Sequence, residues 1–119
     1  MGIQDIILKN AEEFARIIAT LMKSKTAMHW DKALLFINEN RDEMLWHSMQ
    51  ENPFPKDENK LEAMEFLIKL RFQELDILKT KGENVSEQQQ RLKSIIEQFT
   101  AIHPENYYFE LEGMKSKLV

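Results

Sequence analysis

Three histidines, His29, His47 and His103, are the first residues to test for chemistry in this chain. Carboxylate-bridged di-iron chemistry in a helical protein needs Glu-x-x-His pairs on facing helices, so that both ligands project inward one turn apart. None of the three histidines has Glu or Asp three positions before it. Glu43 and His47, four apart, can share a helix face, but one pair supplies too few ligands for a metal. His103 stands beside Pro104 and Glu105 at a helix junction, where a base could sit. No nucleophile or oxyanion element accompanies it, and the three scattered glycines form no phosphate loop. The chain has no cysteine, which excludes thiolate metal sites, cysteine nucleophiles and disulfide scaffolds. We therefore assign no catalytic, cofactor-binding or metal residue, and the chain reads as a non-enzyme.

The aromatic residues carry more. Trp30, Trp46, Phe54, Tyr107, Tyr108 and Phe109 fall near predicted helix ends or connections rather than in mid-stripe. Aromatic anchors are enriched at protein interfaces, so some of these could line a groove for a partner. The plainer reading is that they plug the ends of the core. Tyr107, Tyr108 and Phe109 are consecutive, and at 100° per helical residue they cover a broad arc. At least one of the three is expected to be exposed or at an interface. Asn52-Pro53-Phe54 matches the tripeptide bound by EH domains of eukaryotic trafficking proteins, but proline-bracketed turns generate such a match readily, and a structural turn with Phe54 packed inward is the preferred reading.

These residues must be positioned by helices. From Leu61 to Leu78 apolar residues fall at Leu61, Met64, Leu67, Ile68, Leu75 and Leu78, and from Leu92 at Leu92, Ile95, Ile96, Phe99 and Ile102. Steps of three and four place them on one stripe of a 3.6-residue helix. No stretch has the alternation of a strand. A first helix is predicted over Ile3–Lys23, with Ile3, Ile7, Phe14, Ile17, Ile18 and Leu21 on one face and Asn10 interrupting the seam. Thr26 is the expected N-cap of a second helix bearing Trp30, Ala33, Leu34 and Ile37. That helix either breaks at the polar stretch Asn38 to Asp42, with Asp42 capping a third helix through Met44, Leu45, Trp46 and Met49, or continues over residues 27–50. Asn52-Pro53-Phe54-Pro55 is a firm break. Asn59 with Glu62, and Ser86 with Gln89, read as capping boxes opening the next two helices. Lys79, Lys81 and Gly82 form a conventional stop between them. His103-Pro104 ends the later helix, and Pro104 suits the first turn of a last one carrying Tyr107, Tyr108, Leu111, Met114 and Leu118.

The fold class is accordingly all-α: five or six amphipathic helices in antiparallel hairpins, forming a helical bundle or short stack within a single domain, 1–119. With 43% hydrophobic and 30% charged residues the chain can bury a core. Its 16 basic and 20 acidic residues are mixed along the sequence, for a net charge of −4, and no basic block supports nucleic-acid binding. The longest apolar-rich run, Ile17 to Met22, falls short of the ~20 residues of a membrane span. Asp5, Lys9, Glu12 and Glu13 interrupt any signal-peptide core. A cytoplasmic protein is expected. The first helix also carries Ile6 and Leu8, so its apolar residues wrap more than half its circumference. Such a helix is central in its bundle or shared with a second chain, and Asn10 is the kind of seam residue that fixes register.

Residues 92–113, with Arg91 in front, give an amphipathic helix followed by Pro104, Asn106, aromatics, Leu111 and Gly113. This segment resembles a junction of tetratricopeptide (TPR) repeats, in which a proline ends the second helix of one repeat and an aromatic and a Leu-Gly pair follow in the next. Here Glu112 separates Leu111 from Gly113, and the small residue expected near Leu92 is missing. Trp30 to Asn40, WDKALLFINEN, loosely resembles a repeat helix. The resemblance implies a helical stack that binds protein partners, and no binding residue of the family carries over. Function then reads as a protein–protein interaction module, with Ile7, Phe14, Leu21, Trp46, Tyr107 and Tyr108 as candidate contacts. The alternatives are a structural homodimer through the first helix, or a small helical ligand-binding protein or enzyme.

Overall fold

Hydrophobic spacing of three and four dictates helices, and the computed structural model is built of them. It describes residues 11–41, 47, 61–102 and 108–118, and among these there is no strand. Five α-helices can be followed: α1 (Ala11–Thr26), α2 (Trp30–Asn40), α3 (Leu61–Thr80), α4 (Ser86–Ile102) and α5 (Phe109–Lys117). His47 is helical as well.

Helix α3 is the centre of the bundle. Its Ala63, Met64, Phe66, Leu67, Ile68, Leu70, Leu75 and Ile77 are all buried. Three consecutive buried positions, Phe66 to Ile68, span about 200° of the helix, so the buried face of α3 is unusually broad there. α1, α2 and α4 pack against it. One core joins all five helices, taking Phe14 and Leu21 from α1, Ala33 and Ile37 from α2, Leu92, Ile96 and Phe99 from α4, and Leu111 from α5. Each fully buried Leu or Ile contributes about 1.5–3 kcal/mol against leaving it in water. The sequence pattern made the first helix the candidate for a central position. Its described part is one-sided, with Ala15, Ala19 and Met22 exposed.

Two hairpins share one turn. After α1, Met28 N–H donates to Lys25 O at 3.0 Å and His29 N–H to Ser24 O at 2.9 Å. After α3, Gly82 N–H donates to Lys79 O and Glu83 N–H to Leu78 O, both at 3.0 Å. Both are the paired bonds of a Schellman ending, and both need a left-handed residue: Met28 has φ 61° and Gly82 φ 94°. The stop at Lys79, Lys81 and Gly82 is therefore as expected.

The Thr26 assignment is corrected. Thr26 is the last residue of α1, so that helix runs three residues beyond Lys23, and the N-cap position of α2 is His29, with no side-chain cap bond. A helix can run through Lys23 to Thr26 because nothing in that stretch breaks it, and the left-handed Met28 ends it instead. The Ser86 capping box is corrected too. Ser86 is already helical, and its N–H donates to Asn84 Oδ1 at 3.1 Å, so the asparagine two residues earlier supplies the cap. α2 buries Ala33 and Ile37 as its spacing requires, and ends at Asn40, with Arg41 extended at φ −87°, ψ 128°. A single helix over 27–50 is thereby excluded. The third helix from Asp42 lies outside the described residues apart from the helical His47, and so does Asn59, so the Asn59–Glu62 box is seen only through Glu62 in the first turn of α3. The last helix starts at Phe109, with Tyr108 in its N-cap position and Leu118 at its C-cap, so neither lies within it.

A polar seam fixes the α1–α2 hairpin to α3. Lys25 Nζ donates to Gln73 Oε1 at 2.7 Å and pairs with Asp76. Arg41 grips Glu74 with Nη1 at 2.8 and 3.0 Å from its two carboxylate oxygens, and its Nη2 donates to Asn38 Oδ1 at 2.9 Å. Arg71 pairs with the same Glu74. Lys81 reaches Asp31 at 2.7 Å. Glu74 and Gln73 are buried, and burying such groups is tolerable only with partners of this kind.

Candidate functional site

The six candidate contacts separate under the structure. Leu21 is 0% exposed and Phe14 7%, so both belong to the core of this chain and offer a partner almost nothing. Phe14 is stacked on Phe66, ring centroids 4.4 Å apart and planes at 17°. Large apolar side chains on the main stripe are the ones an intramolecular core claims first, which is why the strongest stripe residues of the first helix make poor contacts. Tyr108 is half-buried, 5.2 Å from the Phe99 ring. Ile7, Trp46 and Tyr107 lie outside the described residues, as do His103, Asn10 and Asn52-Pro53-Phe54. Phe109 is 75% exposed, so the consecutive aromatics do place one ring at the surface. His29 and His47 are exposed, and among the described residues no three His, Cys, Asp or Glu side chains gather as metal ligands.

A cleft of about 400 Å³ opens where α1, α3 and α5 meet. Its floor is apolar, formed by Phe14, Ile18 and Phe66 with Ala15 and Ala19 at the edge, and its rim is charged: Glu62, Glu65, Lys69 and Glu110. The acidic rim has a local cause. Glu62 and Glu110 sit in the first turns of α3 and α5, where a carboxylate complements the positive end of each helix. Lys69 Nζ bridges two of the carboxylates, 2.6 Å from Glu110 Oε2 and 3.4 Å from Glu65 Oε1, and ties α5 to α3. Burial alone would lower the pKa of this ammonium. The hydrogen bond to Glu110 and the charges of Glu65 and Glu110 outweigh that and raise it above the ordinary lysine value of 10.5. Lys69 is thus held protonated, a bridging cation and not an amine nucleophile at neutral pH.

The cleft does not stop at its rim. Ala15, Ile18, Ala19 and Met22 follow at helical steps of three and four along α1, all exposed or half-buried. A second, shallower depression shares Ala19 and Met22 and continues past Thr26 to Ala27. Together they make an apolar strip along the length of α1, from the cleft to the α1–α2 turn. Flanking it on the side away from the cleft are the charged Glu12, Arg16 and Lys23. In the sequence this strip is inconspicuous, because alanine and a single methionine weigh little beside aromatic anchors. The available signal was the step Ala15, Ala19, Met22 on the helix face opposite the polar residues Glu13, Thr20 and Ser24.

Among the described residues no helix is long and apolar enough to cross a membrane. Comparison with protein-family models, with curated proteins and with solved structures gives no match to this chain.

Proposed function

We propose that this protein is a non-enzymatic protein–protein interaction module, docking a partner helix on the exposed strip of α1 and the cleft beside it. One observation carries the reading. Exposed apolar residues on a monomer are ordinarily scattered, whereas Ala15, Ile18, Ala19 and Met22 are contiguous and lead into an aromatic-floored cleft. Alanine at two positions four apart lets a second helix approach closely, and larger side chains of that helix can then enter the cleft. The resemblance of residues 92–113 to a tetratricopeptide junction points the same way, since that family binds protein partners.

The test compares Ala19→Glu with Thr20→Glu. Both put a carboxylate on an exposed position of α1, but only the first lies on the strip. Tagged wild-type protein incubated in its own cell extract should retain one stoichiometric protein, foreign or its own untagged copy. Thr20→Glu should retain it and Ala19→Glu should lose it. Equal retention by both variants would remove α1 as the docking face.

A further inference from the structure

Gln89 is a buried polar group that the fold leaves unanswered. In a capping box its side chain would reach back to the N–H at the start of the helix. Asn84 Oδ1 already accepts the Ser86 N–H at 3.1 Å, so Gln89 has no such task. It is nevertheless only 8% exposed, and its side-chain amide makes no hydrogen bond among the described residues. A buried amide without a partner costs about 1–3 kcal/mol, and native structures rarely leave one so. Gln89 lines a depression of about 550 Å³ between the end of α3 and the start of α4. Lys79, Asn84, Val85, Ser86 and Gln90 line it too.

We infer that this depression binds a small molecule through an oxyanion, a carboxylate or a phosphate group. Donors dominate its surroundings. The hydrogen-bond ladder of α4 opens with Gln89 N–H donating to Val85 O at 2.8 Å. The N–H groups of Glu87 and Gln88 are therefore left without a carbonyl at the positive end of a 17-residue helix. Lys79 is exposed in the last turn of α3 and forms no ion pair among the described residues. The Ser86 hydroxyl and Asn84 Nδ2 donate to nothing among the described residues either. An oxyanion here gives Gln89 Nε2 the acceptor it lacks and Lys79 a counter-charge. Glu83 is the one carboxylate of the lining. Lys81, whose pKa is raised first by its hydrogen bond to Asp31, is raised also by the charge of Glu83, so that carboxylate faces a cation of its own. The site shares no residue with the α1 strip and stands independently of it.

Titration of the isotope-labelled full chain with sodium phosphate, and separately with sodium acetate, tests this by nuclear magnetic resonance, against sodium chloride at equal ionic strength. At least one oxyanion should shift the backbone amides of Ser86 to Gln89 and the side-chain amide of Gln89 along a saturating curve. Chloride should not. Saturation by phosphate alone assigns a phosphate group, and by acetate alone a carboxylate. Gln89→Met keeps the side-chain length and removes the amide. It should weaken binding roughly tenfold, since a hydrogen bond to a charged group is lost. In urea it should be at least as stable as wild type, because an unanswered buried amide has gone. A purely structural role predicts a less stable fold instead, and that result would overturn the part given to Gln89. Lys79→Gln should weaken binding by roughly three- to tenfold. Shifts that chloride reproduces, shifts confined to other residues, or binding that both variants leave unchanged would overturn the site.

Discussion

Met28→Gly should raise the stability of the fold, because Met28 ends α1 in a backbone conformation that glycine adopts freely and methionine does not. Its φ of 61° is left-handed, and for an L-residue that region costs about 1–2 kcal/mol. Glycine loses more chain entropy on folding, which offsets about 0.5–1 kcal/mol of the gain. The side chain is 73% exposed, so its removal forfeits little burial. The net expectation is about 0.5–1 kcal/mol of stabilisation, or a rise of about 2–4 °C in Tm for a chain of this length. The α3 turn provides the converse. Gly82 has the same pair of backbone bonds and φ 94°, and a Cβ added there meets nothing within 4 Å. Gly82→Met should therefore destabilise through the backbone alone, by a similar amount. Urea unfolding followed by far-ultraviolet circular dichroism measures both; the midpoint should move up for the first and down for the second, with m unchanged. A lower midpoint for Met28→Gly, or no change for Gly82→Met, would refute the equivalence of the two turns.

Other outcomes follow from the core and the seam. Leu21→Ala empties a fully buried site and should cost about 2–5 kcal/mol in the same urea assay, against under 0.5 kcal/mol for a strip residue such as Ala19→Ser. Glu74→Gln leaves the Arg41 and Arg71 guanidiniums facing each other without their carboxylate and should cost about 3 kcal/mol; a loss under 0.5 kcal/mol would mean that the seam does not fix the hairpin. Lys69 has a folded-state pKa raised above 10.5, so its contribution to stability is complete below that value and is lost as pH rises through the folded-state pKa. Lys69→Met should therefore flatten the stability loss above pH 10.5 relative to wild type. Lys81, raised by its hydrogen bond to Asp31, titrates in the same range in both chains and cancels in the difference.

The helices themselves were legible because burial on one side imposes a period that sequence alone displays. Met64, Leu67, Ile68, Leu75, Leu92, Ile96 and Phe99 are buried as their spacing required. So was the end of α3, since Gly82 announces a left-handed turn. The matching end of α1 was illegible for the opposite reason: methionine carries no such signal, and Thr26, a good cap in isolation, was read as one. The central place of α3 was only partly visible. Its polar Gln73 and Glu74 dilute an apolar surround, and their partners Lys25 and Arg41 are 48 and 33 residues away in sequence. The apolar strip of α1 is not legible in the sequence because Ala15 and Ala19 are small, and small residues add little to any apolar stripe.

Site-specific photocrosslinking in living cells tests the α1 docking face most directly. A benzophenone side chain placed at position 19 sits on the strip, and one placed at position 20 points away from it. A discrete adduct from position 19, absent from position 20, is the predicted result, and an adduct of twice the chain mass would identify a second copy as the partner. Adducts of equal yield from both positions, or from position 20 alone, would contradict a docking face on α1.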